Sequence, residues 1–267
     1  MIADPAVLAV GVKMLATALI VVAAALAAEK AGPQLGGMIA SLPVSAGPAY
    51  VFLALKSDDA FIAASALSSL ISNAGTALFL LFLALYAARL SAIASILGAI
   101  AVWCATIAVY REIPLGLGTA IGLNVASYGG AILIARRLRF TVPAGRVGGG
   151  LLDLLLRAVL VAGLVGLVVA ASDRIGPAMT GLVALMPLTF TSVGLLIHSR
   201  LGGEACAAAM ASALVTMIGF PAGLVAVHVA AVPLGRAVAL VLGLLVMLAW
   251  SALVLWWRRR RLRAPAA

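Results

Sequence analysis

Long apolar segments joined by short polar connections dominate this chain of 267 residues. Each segment is close to or above the about 20 residues that an α-helix needs to cross a bilayer. Unbroken runs favour helices over a transmembrane barrel, whose strands alternate in polarity over about 10 residues. The sequence therefore predicts an all-α polytopic membrane protein with nine transmembrane helices. The predicted spans are 6–28, 35–55, 60–87, 91–110, 117–135, 150–171, 178–198, 205–231 and 235–257.

The composition excludes the classes of protein that work in water. Hydrophobic residues make up 65% of the chain and charged residues only 10%, whereas soluble domains carry about 25% charged residues. No polar stretch is long enough to form a separate soluble domain. Cys104 and Cys206 lie inside apolar runs, so we expect neither a disulfide framework nor a metal site. The first segment has no basic region before it, which indicates a retained span rather than a signal peptide.

Basic residues are distributed unevenly between the connections. The net charge is +10, and two arginine clusters, Arg136–Arg146 and Arg258–Arg263, each adjoin a predicted span. With the C-terminus in the cytoplasm, alternation of the nine spans places twelve basic residues inside and four outside. This asymmetry follows the positive-inside rule. We therefore expect the N-terminus outside, the C-terminus in the cytoplasm and no nucleic-acid partner.

A shift of 144 residues aligns positions 13–75 with 157–219 without a gap. Gly32-Pro33 then falls on Gly176-Pro177, and Pro43 on Pro187. Four charged positions also coincide: Lys13 with Arg157, Glu29 with Asp173, Lys30 with Arg174, and Lys56 with Arg200. The alignment predicts two repeat units, 1–140 with five spans and 147–257 with four, followed by a basic tail at 258–267.

The two units are predicted to lie upside down relative to each other, because an odd number of spans separates their starts. Inverted-topology repeats are typical of secondary transporters, in which one repeat rocks against the other around a central site. The alternative is that duplication only enlarged a helical bundle, and some inverted repeats form channels. The fifth span of the first unit has no counterpart in the second.

Transmembrane helices 2 and 7 are predicted to be interrupted. Each begins at a Gly-Pro pair and carries an interior proline, over Gly32–Leu55 and Gly176–His198. Proline removes a helical hydrogen bond, and irregular backbone in a membrane lines cavities or is buried in protein. Hydroxyl side chains surround both prolines, although these could simply bond back to their own helix. The candidate binding residues here are Ser41, Pro43, Ser45, Pro187, Thr189 and Thr191.

Lys13 and Arg157 are the basic residues that we place inside spans. A charge at that depth is costly unless it snorkels, pairs or faces water. Asp153 lies one helical turn before Arg157 and could neutralise it. Lys13 has no such partner on its own helix. Both cations are candidate substrate-binding residues, with snorkelling and structural pairing as the alternatives.

The third span carries a stripe of polar side chains. Ser65, Ser69, Ser72 and Thr76 follow helical spacing, with Asn73 beside them, and Thr216 is the counterpart of Ser72 in the second unit. We take Ser72, Asn73 and Thr216 as candidate binding residues. The alternative is that the stripe holds helices together by hydrogen bonds.

Acidic residues are missing from the middle of every predicted span. Proton-driven carriers usually need an intramembrane carboxylate or histidine. Their absence, together with two buried cations, favours an anionic solute, and sodium held by carbonyls and hydroxyls fits better than a proton as coupling ion. The sequence has no catalytic constellation and no metal-ligand spacing. We therefore expect neither an enzyme nor a bound cofactor.

The run Gly181–Phe190, GLVALMPLTF, resembles a segment of the GlpM-like bacterial inner-membrane proteins. This resemblance covers about one repeat unit and implies a bacterial inner-membrane location, with the chain as a fused inverted duplication. That family supplies no assigned function and no catalytic residues. The overall plan is also similar to five-plus-five inverted-repeat carriers such as bile-acid-type symporters and sodium/proton antiporters, at the level of fold.

The sequence thus predicts a secondary transporter of a small anionic solute in the bacterial inner membrane. Its partners would be the lipid bilayer and a small-molecule or lipid-linked anion, and a homodimer is left open. The alternative function is a flippase, or an accessory protein, that handles a lipid-linked phosphate in envelope polysaccharide synthesis. A scaffold within a membrane complex is the third hypothesis.

Overall fold

The computed structural model describes residues 11–12, 14–19, 22–23, 46–110, 112–114, 116–138 and 151–263. All regular secondary structure in these ranges is helical. Six helical stretches within them are long and apolar enough to cross a membrane. The predicted class, an all-helical multi-pass membrane protein, is therefore confirmed. The six stretches are Asp59–Tyr86, Ala92–Tyr110, Leu117–Ala135, Ala158–Leu201, Gly203–Leu234 and Arg236–Trp257.

Nine helices with defined bounds occupy the described ranges, and residues 14–19 are also helical. The predicted spans 6–28 and 35–55 lie mostly outside those ranges. The other seven overlap the six apolar stretches, with 150–171 and 178–198 sharing Ala158–Leu201. The predicted ends agree with the helix ends to within a few residues for 60–87, 91–110 and 117–135, and the count of nine spans stays a prediction. The helices are α1 (Ala46–Lys56), α2 (Asp59–Tyr86), α3 (Ala92–Tyr110), α4 (Leu117–Ala135), α5 (Leu151–Ala184), α6 (Leu188–Leu201), α7 (Gly203–Thr216), α8 (Gly219–Leu234) and α9 (Arg236–Arg263).

Helix α2 is the centre of the bundle. It packs against α3, α4, α5, α7 and α8, and 78% of the residues in its most apolar 18-residue segment are buried. The corresponding value is 28% for each of α3, α4 and α9, whose exposed leucines, isoleucines and valines are the surface expected to meet lipid. The polar stripe of the third predicted span therefore lies in the core, not at the periphery.

Helix α5 bends at Gly176 and then breaks at Pro187. Gly176 has φ of +70°, a backbone conformation that glycine adopts without a steric penalty. The half-helix Pro177–Ala184 follows the bend, and the chain resumes as α6 at Leu188. Pro187 has no N–H to donate to the carbonyl of Val183, which accepts from Met186 N–H at 3.1 Å instead. The predicted break in this span is therefore present.

The predicted span 205–231 is not continuous, contrary to expectation. Helix α7 ends at Thr216 and α8 begins at Gly219. Pro221, in the first turn of α8, cannot donate to the carbonyl of Met217, which accepts from Phe220 N–H at 3.1 Å. The carbonyl of Val215 is taken by the indole N–H of Trp250 at 3.0 Å. A proline and a side-chain donor thus interrupt the helix.

The helices run between two ends of the bundle, which we call the Asp59 end and the Ala87 end after residues at the two ends of α2. At the Ala87 end, His198 Nε2 bonds the carbonyl of Ala87 at 2.8 Å, and Gly203 packs against the same residue. At the Asp59 end, Arg236 binds Asp59. Consequently α2 and α9 run from the Asp59 end to the Ala87 end, whereas α7 and α8 run in the opposite direction.

Charged residues in the described ranges divide unequally between these ends. Helix α4 runs parallel to α2, because Asn124 bonds the Leu70 carbonyl and Tyr128 bonds Asn73 further along. The Asp59 end has the basic residues Lys56, Arg174 and Arg236 and the acidic residues Asp58, Asp59, Glu112 and Asp173. The Ala87 end has the acidic residues Asp153 and Glu204 and the basic residues Arg89, Arg136, Arg137, Arg157, Arg200, Arg258, Arg259, Arg260, Arg261 and Arg263. Basic residues of the described ranges therefore predominate at the Ala87 end.

Candidate functional site

The half-helix Pro177–Ala184 is docked across α2 by serine side chains. Ser69 Oγ donates to the carbonyl of Gly181 at 2.8 Å, and Ser68 Oγ approaches the carbonyl of Pro177 at 3.3 Å. Gly181 lies so close to the backbone of Ser65 that a Cβ atom there would overlap its carbonyl. Ser69 therefore holds the half-helix, and glycine at position 181 lets it approach. Ser68 Oγ also bonds the Ser65 carbonyl of its own helix, at 3.0 Å.

Tyr50 joins α1 to the same contact. Its hydroxyl lies 2.7 Å from Ser69 Oγ, and both side chains are buried. Ser69 has one hydroxyl hydrogen, which points to the Gly181 carbonyl, so Tyr50 must be the donor of this bond. A directed chain, Tyr50 to Ser69 to Gly181, thus connects α1, α2 and the half-helix. Tyr50 was missed at the level of sequence, where no pattern separates it from other tyrosines.

Asn73, a predicted binding residue, is engaged in a buried amide network. Its Nδ2 donates to Asn124 Oδ1 at 2.9 Å, and the Tyr128 hydroxyl donates to its Oδ1 at 3.3 Å. Asn124 Nδ2 in turn donates to the carbonyl of Leu70 at 2.8 Å. These bonds join α2 to α4, as the interhelical alternative for the stripe required. Asn124 was missed at the level of sequence, and the signal that could have found it is its place as the only asparagine in the predicted span 117–135.

Ser72 lies one turn beyond the docked half-helix and is fully buried. Its backbone carbonyl accepts from the Thr76 hydroxyl at 3.1 Å and from the Trp103 indole at 3.3 Å. Its hydroxyl has no hydrogen-bond partner among the described residues, and neither does that of Ser65. Buried hydroxyls are normally bonded. The stripe thus keeps two uncommitted hydroxyl groups in the core.

The break at Pro187 is surrounded by half-buried residues. All six residues from Leu188 to Val193 are half-buried, and together they cover more than one full turn of helix. A helix at a sealed bundle edge would have one buried face and one exposed face. The start of α6 has no side-chain cap, and the N–H of Leu188 donates to the carbonyl of Met186 at 2.7 Å.

The hydroxyls near this break bond to their own helix in the present conformation. Thr191 Oγ1 donates to the carbonyl of Pro187 at 2.9 Å, and Ser192 Oγ to that of Thr189 at 2.9 Å. Thr191 N–H also donates to the Pro187 carbonyl at 2.9 Å. That carbonyl therefore keeps a donor if the Thr191 hydroxyl rotates toward another acceptor. Thr189 is half-buried beside it.

The remaining predicted site residues are scattered or lie outside the described ranges. Thr216 lies at the end of α7, where its hydroxyl donates to the carbonyl of Ala213 at 2.9 Å. Arg157 is on α5, within two turns of the helix start, and its side chain lies outside the described part of the structure. The predictions for Lys13, Ser41, Pro43 and Ser45 concern residues outside the described ranges.

Two ion pairs tie the predicted repeat units together at the Asp59 end. Lys56 Nζ lies 2.6 Å from Asp173 and donates to the carbonyl of Val169 at 3.2 Å. Arg236 Nη1 lies 2.9 Å from Asp59 Oδ1, and its Nε donates to the carbonyl of Ala54 at 2.6 Å. These side chains are partly exposed, so water and salt screen both pairs and each contributes little to stability. The sequence pattern placed these residues in loops and did not pair them.

Within the described part of the chain, no three His, Cys, Asp or Glu side chains cluster as metal ligands would. Searches of known proteins give the site no further definition. No family model, no curated protein and no solved structure matches the chain. The function must therefore be inferred from the geometry alone.

Proposed function

We propose that this protein is a secondary transporter of a small anionic solute that works by alternating access. The observation that carries the proposal is the broken helix inside the apolar stretch Ala158–Leu201. Backbone that leaves the helical conformation at membrane depth is tolerated where it lines a water-filled cavity or is buried in protein. The half-helix Pro177–Ala184 packs one face against α2 and exposes Ala178 and Met179, whereas the start of α6 is half-buried on every side. That difference supports an aqueous crevice at the break.

The start of α6 suits an anion. The N-terminus of a helix carries a partial positive charge, and transporters aim such half-helix ends at anionic groups. The hydroxyls of Thr189 and Thr191 lie within its first turn. Every Asp and Glu in the described helices lies near a helix end or the Gly176 bend, so no carboxylate of those helices repels an anion at the break.

The helix boundaries support the inverted repeat as part of this proposal. Helices α2 and α3 begin at Asp59 and Ala92, and the same shift of 144 residues leads to Gly203 and Arg236, where α7 and α9 begin. Helix α2 and its counterpart α7–α8 run in opposite directions, as inversion requires. Two units of opposite orientation are the framework on which alternating access operates.

A packing detail recurs in both predicted units. Gly75 and Gly219 coincide under the shift, and each faces a tryptophan of the next apolar span. The position that a Cβ atom would take lies 3.2 Å from Trp103 Cδ1 at Gly75 and 2.6 Å from Trp250 Cδ1 at Gly219. Each indole N–H donates to a nearby backbone carbonyl of the glycine's own span, at Ser72 and Val215 respectively. The recurrence supports a common origin for α2–α3 and α7–α9.

The two ion pairs at the Asp59 end support a defined gate. Lys56 and Asp59 belong to the first unit, whereas Asp173 and Arg236 belong to the second. Opening a path from this end requires the units to separate there and both pairs to break. We place the arginine-rich Ala87 end on the cytoplasmic side of a bacterial inner membrane, in agreement with the positive-inside rule.

Solute-driven currents test the proposed function. We expect the protein, reconstituted in liposomes on a solid-supported membrane, to give a transient current after a jump in at least one of inorganic phosphate, lactate, succinate or citrate. Thr191→Val, combined with Thr189→Val, should raise the half-saturating solute concentration about tenfold. Two lost hydrogen bonds to a charged solute are worth more than about 1.4 kcal/mol, which corresponds to a factor of ten in affinity.

Ser199→Ala is the matched control for these threonine variants. Ser199 lies on the same helix and also bonds back, to Leu195 at 2.7 Å, but it is exposed near the end of α6. We expect its currents to equal those of the parent. Correctly inserted protein that gives no current with any of the four anions contradicts the proposed function, as does a threonine double variant that responds like the parent.

A further inference from the structure

The last helix continues beyond the membrane-spanning stretch as a strongly basic extension. Its apolar part ends at Trp257, but the helix runs to Arg263. Five of its last six residues are arginine, and at 1.5 Å per residue this extension reaches about 9 Å past the apolar part. We call residues 258–263 the arginine tail. Its length matches the depth of a layer of lipid headgroups rather than that of a soluble domain.

Two exposed tryptophans mark the start of the arginine tail. Trp256 and Trp257 are 49% and 44% exposed, and tryptophan is enriched where a span meets the headgroups. The guanidinium carbon of Arg260 lies 3.9 Å from the centre of the Trp256 ring. This cation–π contact holds the planar guanidinium at the level of the aromatic ring. Its N–H donors stay available for a phosphate group.

In the described part of the chain, acidic residues do not balance the positive charge around the arginine tail. The same end of the bundle exposes Arg89, Arg136 and Arg137, and the acidic residues of the described helices there are Asp153 and Glu204. At the Asp59 end, in contrast, Lys56 and Arg236 are paired with carboxylates of the chain itself. The excess positive charge at the Ala87 end is therefore expected to attract anions from outside the protein.

We propose that the arginine tail, with Trp256 and Trp257, binds the phosphate headgroups of anionic phospholipids in the adjoining leaflet. Arginine clusters directly beside a span attract anionic lipids through charge, and each guanidinium can donate two parallel hydrogen bonds to one phosphate. The tryptophans keep the helix end at the depth of those phosphates. This site is separate from the proposed solute path and does not depend on it.

Quenching of tryptophan emission by brominated lipids measures this preference directly. In micelles of a neutral detergent, brominated phosphatidylglycerol should quench the full-length protein at about threefold lower mole fraction than brominated phosphatidylcholine. Arg260→Gln should reduce the difference, and replacement of all five arginines of the tail by glutamine should abolish it. The matched control, Arg89→Gln with Arg136→Gln and Arg137→Gln, removes three charges from the same end and should keep the difference.

Equal quenching of the parent by the two lipids overturns the proposal. It is also overturned if the five-glutamine variant keeps the preference, or if the matched control loses it to the same extent. If the five-glutamine variant does not insert, the Arg260→Gln result decides between the outcomes. Inorganic polyphosphate or an oligonucleotide that displaces phosphatidylglycerol at equal phosphate concentration would assign the arginine tail to a soluble polyanion instead.

Discussion

Replacing Gly181 by alanine should lower the unfolding free energy by about 3 kcal/mol, at the upper end of the usual cost of overpacking. The added Cβ would meet the carbonyl of Ser65 and the hydroxyl of Ser68. A backbone carbonyl cannot move aside as the end of a flexible side chain can, so the half-helix must shift away from α2. The shift would also stretch the Ser69 bond to the Gly181 carbonyl.

Gly163→Ala is the matched control, because it makes the same change on the same helix. Nothing lies within 4 Å of a Cβ atom at Gly163. The measurement is the temperature at which half of the detergent-purified protein loses its monodisperse state. We expect a decrease on the order of 10 °C for Gly181→Ala and little change for Gly163→Ala. Equal melting of the two variants would show that the half-helix is not packed tightly on α2.

Ser69→Ala should be about as damaging, at about 2–5 kcal/mol. The substitution removes the donor to the Gly181 carbonyl and the acceptor of the Tyr50 hydroxyl, and each buried group left unbonded costs about 1–3 kcal/mol. Tyr50→Phe removes only the first donor of the chain and leaves the bond from Ser69 to Gly181 intact. We therefore expect Tyr50→Phe to cost about 1 kcal/mol.

The order of these two variants is the informative result, measured by the same thermal assay. A Ser69→Ala variant that melts well below Tyr50→Phe agrees with a directed chain that ends on the half-helix. If Tyr50→Phe is the more damaging, the direction assigned to these hydrogen bonds is wrong. Ser199→Ala, which removes an exposed hydroxyl, should melt with the parent.

The helical class and the break at Pro187 were accessible from the sequence because each has a local cause. Long apolar runs require helices in lipid, and a proline disrupts its own helix wherever it lies. The break between α7 and α8 has a local cause too, Pro221, but that residue sits close to Gly219 in a run that remains apolar throughout. Apolarity predicted one span there, and the indole of Trp250, which stabilises the break, comes from a distant helix.

The site was predicted less completely because its hydrogen bonds are long-range. The spacing of Ser65, Ser69 and Ser72 indicated one polar face, yet nothing in that pattern tells whether the face meets water or another helix. Ser69 proved to bond Gly181, and Asn73 proved to bond Asn124, through contacts more than 50 residues apart in sequence. The pairing of Lys56 with Asp173 was hidden for the same reason.

The proposed solute path depends above all on whether the break at Pro187 opens to water within the membrane. Thiol accessibility tests this directly, in a background in which Cys104 and Cys206 are replaced by alanine. The Thr191→Cys variant is treated with a membrane-impermeant thiosulfonate reagent that carries a sulfonate group. The reaction is run in intact liposomes and in permeabilised liposomes, where the reagent reaches both sides of the membrane. Val168→Cys, at a position 1% exposed on α5, is the buried control, and Ser199→Cys is the exposed one.

We predict that Thr191→Cys reacts in membrane-inserted protein at a rate well above that of Val168→Cys. An anion that drives current should slow this reaction, because it would occupy the start of α6. If Thr191→Cys reacts as slowly as Val168→Cys from both sides, while Ser199→Cys reacts readily, the break is sealed by protein or lipid. The broken helix would then be a packing feature, and the proposed solute path would be wrong.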